Sequence, residues 1–220
     1  MAADARGTVR CFVTKRRIST GAAVAVLLGR KRAALVAYER IVALDARDER
    51  ALGTVGNLRM ELGDAEGAVR AFEALLAVNP RNAAGWFNLG YIHDQHERNA
   101  EAGHCFRTAL DSDPKLDRAW YGLGLVLVRQ GRLDEAVAAF KRNTALQPFS
   151  PYGWYQLAMT LHHLGRGAEA RRVNAELRRI EPRFAAALER DLAQTQPLRA
   201  NAPASAPEEP SAAAAAAATA

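Results

Sequence analysis

Apolar and small residues recur along most of the chain at helical spacing, and the pattern itself repeats every 34 residues. Trp86, Trp120 and Trp154 mark this period, and four prolines follow the same spacing. A fixed period of this length is typical of stacked helix-turn-helix units. It predicts a first helix in each unit over 17–28, 51–62, 85–96, 119–130 and 153–164. It predicts a second helix over 30–44, 66–78, 100–112, 134–146 and 168–180.

Five units without insertion or deletion account for the columns of the repeat. The eighth position is always glycine or alanine and the twentieth is always alanine, so the two helices of a unit can approach closely. The twenty-fourth position is aromatic except at Asn174, and the fifteenth is a turn glycine except at Glu97. The units cover residues 15–48, 49–82, 83–116, 117–150 and 151–184.

The third and fourth units resemble the tetratricopeptide repeat (TPR) family. In the third unit the residues that carry the resemblance are Trp86, Leu89-Gly90, Ala102, Phe106 and Pro114. The fourth unit has the same residue types at Trp120, Leu123-Gly124, Ala136, Phe140 and Pro148. The terminal units depart from the pattern, with Ile18 and Ala46 in the first and Asn174 in the last, as is usual at the ends of a repeat array.

The resemblance implies an all-α fold, a right-handed superhelical solenoid of antiparallel helix pairs. The amphipathic segment 185–196 predicts a capping helix on the last apolar face. Prolines and alanines predict a disordered tail over 197–220, because small residues bury too little apolar surface to offset the entropy of ordering. Residues 1–14 are interpreted as a basic N-terminal extension.

The net charge of +6 is concentrated at the N-terminus, so it does not describe the repeat units. Eight basic and no acidic residues lie between Ala5 and Tyr38, whereas the remaining 182 residues outside positions 1–38 carry 22 basic and 23 acidic side chains. A body near neutrality lacks the phosphate contacts that nucleic-acid binding requires, so we expect no nucleic-acid partner. The excess of arginine over lysine, together with the high alanine content, indicates a GC-rich bacterial genome.

The N-terminal segment admits two interpretations. Its basic stretch before the apolar run 18–28 resembles a secretory signal or a membrane-surface tether, although the basic residues 30–32 follow at once. The repeat register instead favours a core helix with a solvated basic flank. Cys11, outside the units, is more readily a free thiol than half of a bridge, which suits a reducing compartment. The sequence therefore predicts a cytoplasmic protein, with a membrane-associated or exported one as the alternative.

The TPR resemblance implies that first helices line a concave groove that binds an extended segment or a helix of another protein. The chain is then a non-catalytic interaction module, scaffold or adaptor; the alternative is a membrane-surface assembly or secretion accessory factor. A chaperone-tail carboxylate clamp would use Asn57, Asn88 and Arg118, but glycines occupy its other basic positions. The alternative for Tyr121 and Tyr155 is that they only pack between neighbouring first helices and do not contact a ligand. The predicted groove residues are Asn57, Phe87, Asn88, Tyr91, Arg118, Tyr121, Arg129, Tyr155 and Gln156.

Catalytic and cofactor chemistry find no support in the sequence. Neither nucleotide-binding glycine loops nor the motifs GxSxG and HExxH occur, so we expect no enzyme activity and no cofactor. His93, His96, His104 and Cys105 crowd into one unit, and spacing of three on a helix suits metal ligands. A core histidine and a buried thiol explain the cluster with fewer assumptions, and we expect no metal.

Overall fold

The computed structural model describes residues 2–195, with side chains for residues 14–195 other than Arg16. Eleven helices and no strand occupy this part of the chain. The predicted tail at 197–220 and the side chain of Cys11 lie outside the described residues. The helices are α1 Ala2–Leu27, α2 Lys31–Leu44, α3 Glu49–Glu61, α4 Ala65–Val78, α5 Ala83–Gln95, α6 Asn99–Ser112, α7 Asp117–Arg129, α8 Leu133–Leu146, α9 Pro151–His163, α10 Gly167–Ile180 and α11 Pro182–Gln194.

Consecutive helices form five pairs, α1–α2 to α9–α10, that stack one on the next as an all-α solenoid, as the sequence predicts. The observed bounds of α2 to α10 lie within a few residues of the expected ones. Helix α1 differs, because it begins at Ala2 and not near residue 17. The repeat register set the expected start, but no proline interrupts residues 2–16, so the helix continues upstream.

Each inner pair is held by a small residue on its first helix facing an aromatic ring on its second. A Cβ atom added to Gly56 would lie 2.6 Å from the Phe72 ring, and one added to Gly124 would lie 2.5 Å from Phe140. These distances are shorter than carbon atoms tolerate, so only glycine permits the observed approach. All five alanines at the twentieth position are buried as well. The spacing of small and large residues along the repeat therefore determines how the two helices of each pair pack.

The turns within pairs share a left-handed residue. Gly29, Gly63, Gly131 and Gly165 have φ between 67° and 82°, and Glu97 takes the same place with φ 57°. Because a Cβ is disfavoured in this conformation, Glu97 is the one turn of the five that carries backbone strain.

The junctions between pairs combine two columns of the repeat. The residues before Pro80, Pro114 and Pro148 have left the helical conformation, as expected from the clash of the proline ring with a helical predecessor, and each helix ends there. The indole Nε1 of the next tryptophan donates a hydrogen bond to that proline's carbonyl oxygen. The three bonds are Trp86 to Pro80 at 2.8 Å, Trp120 to Pro114 at 2.9 Å and Trp154 to Pro148 at 2.9 Å.

Helix α11 packs on both α9 and α10 and covers the last pair. Its Ala185 and Leu188 are fully buried with Ala158 and Leu177 in one cluster. Proline at the first turn of α11 begins the helix, because that position needs no amide hydrogen. Among the described residues, no helix is long and apolar enough to cross a bilayer.

Candidate functional site

A cleft of about 570 Å³ opens between the first helices of the third, fourth and fifth pairs, α5, α7 and α9. Its volume lies within the range of ligand-binding pockets in proteins. Four predicted groove residues meet there, Phe87, Tyr91, Arg118 and Tyr121. The other lining residues are Asp94, Gln95, Phe106, Asp117, Gly122, Leu125, Asn143, Gln147, Ser150 and Tyr152.

Aromatic rings anchored in the core form the apolar floor of the cleft. The ring of Phe87 lies 5.9 Å from that of Phe106, and the ring of Tyr121 lies 5.9 Å from that of Phe140. Ring pairs at this distance attract each other and hold both partners in place. Phe87 and Tyr121 therefore pack between helices and also present a surface to the cleft.

Arg118 supplies the exposed cation of the cleft. Its guanidinium carbon lies 4.9 Å from the centroid of the Phe87 ring, a cation–π geometry. A guanidinium that stacks on a ring keeps the N–H donors along its edge available for hydrogen bonds. The neighbouring Asp117, at the first turn of α7, gives the cleft a carboxylate beside this cation.

The rim of the cleft is aromatic and amide-rich. The exposed fraction is 43% for Tyr91 and 59% for Tyr152, high values for rings that border a cleft. Asn143, Gln147 and Ser150 come from the end of α8 and the loop that follows it. Asn143 is buried and its amide donates to the Asp117 carbonyl oxygen at 2.9 Å, so Gln147 and Ser150 supply the polar groups of the rim. Sequence reasoning missed Asn143, Gln147 and Ser150 because it read only the first helix of each pair, and no periodic signal marks a loop.

Three predicted groove residues lie outside the cleft with their polar groups engaged. The guanidinium of Arg129 donates to the Asp94 carboxylate and, at 2.7 Å, to the side-chain oxygen of Asn99. The amide of Asn88 donates to Asn57 at 3.0 Å, across α3 and α5. A carboxylate clamp would need both amides and Arg118 directed at one ligand. The amide pair directs its groups at each other, which argues against the clamp.

Tyr155 and Gln156 lie toward the covered end of the solenoid. The Tyr155 hydroxyl donates to Asp191 on α11, and burial together with this bond raises the pKa of Tyr155 to about 12. Gln156 forms a hydrogen bond with Tyr121, whose pKa is raised by burial while this bond acts in the opposite direction. Both tyrosine hydroxyls are therefore protonated at neutral pH. Helix α11 thus occupies part of the predicted groove surface.

His93, His104 and Cys105 of the predicted histidine and cysteine cluster line a separate pocket between α4, α5 and α6. Burial lowers the pKa of His93, and its Nδ1 is buried with no hydrogen-bond partner among the described side chains. Cys105 is 3% exposed, and burial raises the pKa of its thiol to about 11, which keeps it protonated and unreactive. The described residues contain no group of three potential ligands able to hold a metal ion.

The fold and the junction geometry define a helical repeat protein of the solenoid class. The sequence profile of the tetratricopeptide repeat matches residues 55–116 and 93–151. Residues 55–151 therefore match the tetratricopeptide repeat, as the residues of the third and fourth units indicate, and the pairs on either side share the same solenoid fold. The origin of the chain in a GC-rich bacterium stays a prediction.

Solved structures of low sequence identity share this fold. MamA is 18% identical, with a TM-score of 0.70 over 79% of this chain and 94% of that one. The fragment of MamA from residue 41 to its end, from Desulfovibrio magneticus RS-1, is also 18% identical, with a TM-score of 0.70 over 76% of this chain and 95% of that one. YrrB, described as a TPR protein with an unusual peptide-binding site, is 21% identical, with a TM-score of 0.66 over 77% of this chain and 88% of that one. No curated protein matches the sequence.

Proposed function

We propose that this protein binds a segment of a partner protein in the cleft between α5, α7 and α9, without catalysis. The observation that carries the proposal is the cleft itself, with an apolar floor of Phe87, Tyr121 and Leu125 beneath two exposed tyrosines. Rigid rings supply contact area at low entropic cost and are enriched at protein-binding surfaces. YrrB, of the same fold, is described as having a peptide-binding site, which supports a protein ligand.

The polar groups of the rim suit the backbone of a peptide. Gln95, Gln147 and Ser150 offer amide and hydroxyl groups that can both donate and accept hydrogen bonds. The carboxylate of Asp94 is neutralised by Arg129, which leaves Arg118 and Asp117 as the charged pair at the floor. We therefore expect a partner segment that inserts apolar or aromatic side chains and carries little net charge.

A library of displayed peptides, selected on the purified full chain, provides ligands for the test. We expect Arg118→Glu and, separately, Tyr91→Ala to weaken the selected peptides by about tenfold or more, because each removes a group that faces the cleft. Arg142→Glu on α8 is the matched control, since it makes the same charge change on an exposed side chain outside the cleft. Fluorescence anisotropy gives the affinities, and circular dichroism verifies that every variant folds.

Equal affinities for the wild type, the two cleft variants and the Arg142 control would contradict the proposal. Selected peptides that bind well but respond only to the Arg142 substitution would place recognition on another face and contradict it as well.

A further inference from the structure

The first helix pair exposes a face that every later pair buries. At the tenth position of the unit, Val24 is 49% exposed, whereas its counterparts are at most 6% exposed. Those counterparts pack against the second helix of the preceding pair, as Val126 does beside Gly103 of α6. The counterparts are Leu58, Ile92, Val126 and Thr160.

The α1–α2 turn projects two leucines beyond this face. Leu27 is 85% exposed and Leu28 is 59% exposed, and Gly29 closes the turn with φ 67°. We call Val24, Leu27 and Leu28 the N-terminal apolar face. Side chains this large are rarely left so exposed in a cluster unless the surface meets something apolar.

Cations border the N-terminal apolar face. Arg17, Arg30 and Arg32 are exposed, and the described acidic side chains form no ion pair with them. Lys31 is paired with Glu61 at 2.9 Å, and Lys15 with Asp45 and Asp48. The corresponding turns of the other four pairs carry carboxylates at or just after the turn, so the excess of positive charge is particular to this end.

We propose that the N-terminal apolar face binds the surface of an anionic lipid membrane, with Leu27 and Leu28 inserted among the acyl chains. The three unpaired arginines then lie at the level of the lipid phosphates, where each cation strengthens partitioning about fivefold. The charges favour this occupant over a second copy of the chain, because two such faces would bring like charges together. The attachment is peripheral, since the described helices contain no membrane-spanning segment.

Co-sedimentation of the full chain with vesicles tests the proposal. We expect binding to phosphatidylcholine vesicles that contain about one third phosphatidylserine, and weaker binding without phosphatidylserine or when salt rises from about 0.1 M to about 0.5 M. Substitution of both Leu27→Ser and Leu28→Ser should weaken binding by at least about tenfold, because two inserted leucines are lost. The control pair, Leu62→Ser with Leu146→Ser, removes two leucines that are each 37% exposed elsewhere.

A second pair of variants tests the charges. Arg30→Gln with Arg32→Gln should weaken binding to the anionic vesicles by about 25-fold, from two cations at about fivefold each. The control pair, Arg171→Gln with Arg172→Gln, removes two exposed arginines of α10 and should leave binding unchanged. Circular dichroism confirms folding, and Arg118→Glu in the cleft should also leave binding unchanged, which separates this proposal from the groove.

Three results would overturn the proposal. The first is no binding to anionic vesicles at low salt, and the second is binding that the leucine variant leaves unchanged. The third is a dimer in sedimentation equilibrium that the leucine variant dissociates while vesicles do not bind, which would assign the face to contact between copies.

Discussion

The covered and the exposed end of the solenoid differ in what lies on their apolar faces. At the C-terminal end, α11 buries Ala185 and Leu188 completely against the last pair. At the N-terminal end, Val24 and Leu27 are 49% and 85% exposed in the part of the chain that the structure describes. One additional helix is thus enough to complete a stack, and a face without such a helix is available for another molecule.

The difference also shows that the position of a residue in the repeat does not by itself determine whether the residue is buried. Val24 and Val126 hold the same position of the unit and the same residue type, yet one is exposed and the other is fully buried. What buries Val126 is the preceding pair, which the first pair lacks among the described residues. How much a residue at a given repeat position contributes to stability therefore depends on whether another helix pair packs against it.

The largest expected effect comes from equal truncations at the two ends. Leu188→Ala should lower the free energy of unfolding by about 3 kcal/mol, because it leaves a cavity under α11. Leu27→Ala should change it by less than about 0.5 kcal/mol, because the side chain is already in water. Urea unfolding followed by circular dichroism measures both. Similar losses for the two variants would show that the N-terminal face is covered in solution.

Truncation within one column sharpens the comparison further. Val126→Ala should lower the free energy of unfolding by about 2 kcal/mol, because two buried methyl groups and their contacts are lost. Val24→Ala should cost less than about 0.5 kcal/mol. The same urea experiment compares them, with the identical chemical change serving as its own control. A cost for Val24→Ala as large as that for Val126→Ala would refute our account of the face.

The turn at Glu97 tests a feature that the two ends have in common. Gly29 and Gly165, at opposite ends, adopt the same left-handed conformation as Glu97 in the middle. Glu97→Gly should raise the free energy of unfolding by about 0.5–1 kcal/mol, because it removes the Cβ strain. Gly131→Glu should lower the free energy of unfolding by a similar amount. No atom lies near that Cβ position, so the cost comes only from the left-handed backbone conformation. Thermal unfolding is sufficient, and two shifts of the same sign would be inconsistent with strain.

The smallest expected effect is on the pH dependence of stability at the covered end. Burial, followed by the neighbouring His162, lowers the pKa of His163 below its ordinary value of 6.5. As pH falls below that value, the unfolded chain takes up a proton that the folded chain does not, so the free energy of unfolding decreases. His163→Gln should flatten this decline between about pH 7 and about pH 5. His104→Gln, on the exposed side of α6, is the control, and an unchanged slope in His163→Gln would contradict the assignment.

The fold was largely predictable because its signals are local and repeated. Alanine at the twentieth position and an aromatic at the twenty-fourth specify one packing arrangement, and Gly124 beside Phe140 shows it at atomic distance. The N-terminal start of α1 was not predictable from the register, because a helix stops only where a local signal stops it. Proline proves dispensable as such a signal, since Asp45 is extended at the end of α2 although Ala46 follows it.

The sequence predicted the residues of the candidate site only where their position on a single helix decides whether they face the cleft. Phe87, Tyr91, Arg118 and Tyr121 line the cleft as their columns indicate. Arg129 does not, because Asp94 on a neighbouring helix holds its guanidinium, and a column cannot reveal such a partner. Tyr155 is likewise engaged by Asp191 of α11, a helix that lies outside the repeat. The binding role of these residues stays a prediction.

The tryptophan–proline bonds give the molecule a set of built-in optical reporters. Each indole is tied to one junction, so its emission follows the opening of that junction and not of the chain as a whole. Variants that retain a single tryptophan would report, junction by junction, the order in which the array loosens. In a chain whose stability is summed from neighbour to neighbour, this order maps where cooperativity breaks down.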